Sequence, residues 1–90
     1  MTAMQFRKQT LLAIDAVEQS NVRLTSSQKK GIKRAKEERH PLLWAALQNK
    51  AAHQYEQETG EKASADWGAF FEWLMENLPK ILELIMKLFG

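Results

Sequence analysis

Large apolar residues crowd the last 25 positions of this chain, Asp66 to Gly90, and are sparser before them. Fourteen stand there: Trp67, Phe70, Phe71, Trp73, Leu74, Met75, Leu78, Ile81, Leu82, Leu84, Ile85, Met86, Leu88 and Phe89. The charges between them are phased. At about 100° per residue, Glu72, Glu76, Lys80, Glu83 and Lys87 fall within an arc of roughly 80°. The spacing predicts an amphipathic helix with a narrow wet stripe. Pro79 lies inside it and removes one backbone hydrogen bond, so a kink is expected there. Because the stripe keeps its phase across Pro79, the pattern predicts one continuous, kinked helix over 66–90, with Glu76–Lys80 and Glu83–Lys87 paired along it.

Upstream, the apolar spacing is helical but thinner. A first helix is expected from about Ala3 to Asn21, with Phe6, Ala13, Ile14 and Val17 on one face. A second, from about Gln28 to Arg39, is nearly all polar. Only Ile32 and Ala35 could face a core, and Gly31 lowers its propensity by about 1 kcal/mol relative to Ala. Thr25, Ser26 or Ser27 can cap its start by accepting a backbone N–H. Pro41 suits the first position of a third helix, which runs to about Glu58 behind a seam of Trp44, Leu47, Ala51 and Tyr55. Gly60 suits the left-handed residue that closes it. Ser64 or Asp66 then caps the last helix. No stretch alternates with period two, so no strand is expected. The predicted fold is all-α, a small helical bundle of four to five helices with a strongly hydrophobic C-terminal helix. It divides into a basic helical module (1–60), a short linker (61–65) and the C-terminal helix (66–90).

Ninety residues make one small domain, and without cysteine neither a disulfide nor a thiolate metal site can brace it. Two moderate stripes and a polar helix are narrow cover for fourteen large side chains, each carrying about 1.5–3 kcal/mol of burial drive. This imbalance predicts that the C-terminal helix is covered by another molecule. The expected partner is a second copy of the chain (a homo-oligomer) or a larger protein assembly, docked through Trp67, Phe70, Phe71, Trp73, Leu74, Leu78, Ile81, Leu82, Ile85 and Phe89. A small non-enzymatic assembly protein is the leading functional expectation. A membrane surface is the alternative, because Trp67 and Trp73 suit the headgroup boundary. Against it, the segment is net acidic and its polar face is narrow for a helix lying in lipid.

Charge adds a third possibility. Residues 1–62 carry 11 Lys/Arg against 7 Asp/Glu, whereas residues 63–90 carry 2 against 4. Lys29, Lys30, Lys33, Arg34 and Lys36 crowd the polar second helix and could contact phosphates of nucleic acid. No aromatic residue interleaves with them, so such contact would be blind to sequence. The ordinary reading of the same residues is a solvated helix face.

Other chemistry has little foothold. Glu37–His40 and His53–Glu56 have the spacing of helical metal pairs but no evident further ligands, and Pro41 makes His40 a poor platform. There is no cysteine nucleophile, no evident Ser/His/Asp grouping and no glycine-rich phosphate loop. Neither enzyme activity nor a cofactor or metal is expected. No apolar run follows the basic residues near the start, and charges interrupt 66–90 every few positions. An intracellular, cytoplasmic chain without signal peptide or transmembrane span is therefore expected.

Overall fold

Local capping chemistry sets most of the helix ends in the computed structural model, which describes all 90 residues. Helix α1 (Ala3–Glu18) starts at Thr2, whose hydroxyl accepts the Gln5 backbone N–H while the Gln5 side chain accepts that of Thr2. Helix α2 (Ser26–Glu37) repeats the device with Thr25 and Gln28. These reciprocal boxes satisfy donors that a helix start would otherwise leave unpaired. Helix α3 (Pro41–Thr59) begins with the expected proline, and His40 Nδ1 accepts the Leu42 N–H at 3.2 Å. It ends on Gly60 at φ 76°, the left-handed conformation that glycine adopts without steric cost. Helix α4 (Trp67–Glu76) is capped by Asp66, and helix α5 (Leu78–Phe89) completes the chain. The fold is all-α, five helices without a strand.

The expected continuous rod over 66–90 is two helices. The chain leaves helical geometry at Asn77 (φ −108°, ψ 18°), and Asn77 Nδ2 donates to the Trp73 carbonyl at 2.9 Å. Pro79 then stands in the first turn of α5, where its missing N–H has no helical partner to lose. The break lets the two halves reach different neighbours. Helix α4 packs on α1 and α3, whereas α5 packs on α2 and α3. The five phased charges all remain exposed, but on two helices, and the expected Glu76–Lys80 and Glu83–Lys87 pairs do not form. Lys80 lies 3.7 Å from Glu58 of α3 instead.

The expected linker is also structured. Ala63–Ala65 form a 3-10 turn, and Ala63 is buried. One hydrophobic core draws on every helix and joins 66–90 to the preceding module. Trp44 is its hub. Its ring meets Phe6 of α1 and Phe89 of α5 edge-on, at centroid distances of 6.4 and 5.2 Å. Its indole N–H donates to the Glu38 carbonyl at 2.8 Å, so the buried donor is satisfied.

The polar helix α2 is the closest neighbour of α5. Its inward face is small: Gly31, Ile32 and Ala35 are buried. A Cβ at position 31 would stand 2.6 Å from the Leu82 carbonyl oxygen, so only glycine permits this approach. Both helices are fastened at their ends. Arg7 of α1 donates to the carbonyls of Glu38 (3.0 Å) and Lys36 (3.2 Å), closing the C-terminus of α2. Arg34 of α2 donates to the Phe89 carbonyl at 2.9 Å, closing that of α5. Helix C-termini carry unpaired carbonyls and partial negative charge, which a guanidinium satisfies on both counts.

Candidate interaction surfaces

Seven of the ten residues expected to meet another molecule face the chain's own core. Phe70, Leu74, Leu78, Ile81, Leu82, Ile85 and Phe89 are all buried in the single copy. For these seven, cover by a second molecule is corrected to cover by α1, α2 and α3. The physical reason is geometric. Small residues on α2 bring its backbone onto α5, so a helix with few large apolar residues still excludes water from a wide arc. An in-plane membrane helix made of 66–90 would have to withdraw the same seven side chains from the core. No helix is long and apolar enough to cross a membrane.

Trp67, Phe71 and Trp73 stay half-buried. Trp73 is integrated into the rim of the core. It stacks on Phe70 (6.1 Å, 16°), meets Tyr55 edge-on, and donates its indole N–H to the Glu58 carboxylate at 2.6 Å. Trp67 and Phe71 lie ring against ring at 6.4 Å and 28°. With Met75, which is 49% exposed, they stand at i, i+4 and i+8 of α4 and form one outward stripe. Glu72 and Glu76 are exposed on the same helix.

A second apolar surface lies on α1, at the groove between α1 and α2. Met4 (41% exposed), Leu11 and Leu12 (55% exposed) form its apolar part. Arg7, Lys8 and Lys36 edge it, together with Asp15 and Glu18. The sequence pattern held a signal for this groove: Met4, Leu11 and Leu12 recur at helical spacing away from the Phe6–Ile14 face. The larger C-terminal imbalance obscured it.

The five basic residues of α2 separate into two groups. Arg34 and Lys36 have partners: Arg34 lies 3.0 Å from Glu38, and Lys36 lies 2.7 Å from Glu18 of α1. Lys29, Lys30 and Lys33 are exposed and have no ion pair. Glu38 is held below the ordinary carboxylate pKa, first because its carboxylate accepts the His40 backbone N–H. The positive charge of Arg34 adds to this and partial desolvation opposes it. Glu38 thereby ties the end of α2 to the start of α3.

No three His, Cys, Asp or Glu side chains gather as a metal-binding group. His40 Nδ1 is engaged as the cap of α3, and Glu37 is exposed. Every buried side-chain nitrogen and oxygen has a hydrogen-bond partner. Compared with protein-family models, curated proteins and solved structures, the chain matches none.

Proposed function

We propose that this chain is a small non-enzymatic assembly protein that binds a second copy of itself through the outer stripe of α4. The observation that supports this reading is the Trp67–Phe71–Met75 stripe, left partly uncovered after the other C-terminal apolar residues have entered the core. Large aromatic side chains on a rigid helix are typical anchors of protein interfaces. The proposed seat is the α1–α2 groove of the partner copy, apolar at Met4, Leu11 and Leu12. Its edge holds three cations and two carboxylates, while Glu72 and Glu76 accompany the α4 stripe, so the charges at the margins attract. Ridge and groove are different surfaces of one chain. The contact is therefore head-to-tail, and repetition closes a ring or extends a chain of copies. Few side chains take part, so each contact is weak.

Sedimentation velocity over a broad concentration range tests this proposal. The wild-type chain is expected to grow in mass with concentration. Met75→Glu on the ridge and Leu12→Glu in the groove change exposed positions and should each abolish that growth while leaving helix content by circular dichroism unchanged. A wild-type chain that stays monomeric throughout would refute the proposal. So would association that survives both substitutions.

A further inference from the structure

We infer that the outer face of α2 is a second interaction surface, independent of the α4 stripe, and that it binds the phosphate backbone of nucleic acid without reading sequence. The first observation is the localisation of charge. Residues 23–40 hold seven of the 13 Lys/Arg and only two of the 11 Asp/Glu. The other 72 residues are net negative, with six Lys/Arg against nine Asp/Glu. The net +2 of the chain thus combines one strongly basic segment with an acidic remainder. Such a field draws a polyanion to one face of the molecule.

The second observation is that three of these cations lack any ion-pairing partner. Arg34 closes α5 and pairs with Glu38, and Lys36 pairs with Glu18. Lys29, Lys30 and Lys33 point outward with no carboxylate in ion-pair range. Lys29 and Lys33 are one turn apart on the same side, and Lys30 flanks them across the exposed Glu37.

The third observation concerns the support. The capping box fixes the start of α2, Arg7 and Trp44 bind its terminal carbonyls, and Gly31 seats it directly on α5. A ridge held at both ends and along its length presents its ammonium groups with little further ordering on binding. The outward arc has no large apolar side chain, since Ile32 and Ala35 face the core. That disfavours lipid, which a binding helix enters with an apolar face. It disfavours a dry protein interface for the same reason. No aromatic residue on the helix can stack on bases, and lysine acts as a point charge toward phosphate. Together these features favour electrostatic contact with a nucleic-acid backbone.

Fluorescence anisotropy with a labelled duplex of mixed sequence tests the inference on the full chain. If three lysines each neutralise one phosphate, affinity should fall roughly 40-fold between 50 and 200 mM monovalent salt. The variant Lys29→Gln/Lys30→Gln/Lys33→Gln should lose at least tenfold in affinity at 50 mM salt and most of the salt dependence, while its helix content is kept. The control Lys50→Gln/Lys62→Gln removes two exposed cations elsewhere and should bind like wild type. Absence of duplex binding at 50 mM salt would overturn the inference, as would a triple variant that binds undiminished. Binding to phosphatidylserine vesicles without binding to the duplex would also overturn it, in favour of lipid. Met75→Glu should bind the duplex normally, so this inference can fail or stand separately from self-association.

Discussion

Helices α2 and α5 are opposites in composition and the most intimate pair in the fold. Helix α5 is dominated by large apolar side chains, with Leu78, Ile81, Leu82, Ile85 and Phe89 buried. Helix α2 is mostly lysine, arginine, glutamate and serine, and turns inward only Gly31, Ile32 and Ala35. Greasiness on one side does not require equal greasiness on the other. Gly31 lets the two backbones touch near Leu82, and a close backbone excludes water as well as a large side chain does. Arginine completes the pairing, because Arg34 reaches from the polar helix to the last turn of the apolar one.

The largest test of this pairing removes packing from the apolar partner. Leu82 is fully buried against α2, so Leu82→Ala should cost about 2–5 kcal/mol in chemical denaturation. A loss below about 1 kcal/mol would mean that α5 is not sealed as described. A smaller effect is expected from the polar partner. Thr25→Ala removes the hydroxyl that accepts the Gln28 N–H, one half of the capping box, and should cost about 1 kcal/mol. A loss near that for Leu82→Ala would show that α2 depends on its cap more than on its seat. The smallest effect concerns pH. Glu38 has a pKa below its ordinary 4.5, chiefly through the His40 backbone N–H. The unfolded chain takes up that proton at higher pH than the folded one. The stabilisation is therefore present above pH 4.5 and is lost as pH falls through the folded value. Glu38→Gln should flatten the fall in stability within that acidic window, seen as melting temperature against pH.

Features with local causes were legible along the chain. Thr25, Pro41, Gly60 and Asp66 act where expected, because a cap or a helix start is decided by residues within a few positions. The core seam of α3 (Trp44, Leu47, Ala51, Tyr55) and the exposure of the five phased charges Glu72, Glu76, Lys80, Glu83 and Lys87 follow from helical spacing alone. What escaped was tertiary. Gly31 reads as a propensity penalty until Leu82 stands against it. Pro79 reads as a kink inside one helix, whereas Asn77 ends α4 and Pro79 joins the first turn of α5. Counting large apolar residues underestimated the cover α2 provides, since small residues cover by proximity. The candidate surfaces changed for the same reason. The core took seven of ten apolar candidates, the ends of α2 and α5 engaged Arg34, and Glu18 at the end of α1 engaged Lys36. Trp67 and Phe71 are left half-buried beside the exposed Met75, and Lys29, Lys30 and Lys33 are left exposed.

The central claim is that α2 seals α5 by backbone proximity, and two helical glycines test it most directly. In helix interiors Gly→Ala ordinarily stabilises, by about 1 kcal/mol. At Gly68 the added Cβ meets only the Asp66 carboxylate, at 3.3 Å, and Gly68→Ala should leave stability unchanged or raise it by up to about 1 kcal/mol. At Gly31 the same methyl would stand 2.6 Å from the Leu82 carbonyl oxygen, and Gly31→Ala should lower stability by about 1–3 kcal/mol. Urea unfolding of the two variants beside wild type decides the matter. A midpoint lowered by Gly31→Ala and not lowered by Gly68→Ala is predicted; a Gly31→Ala chain as stable as Gly68→Ala would contradict the account.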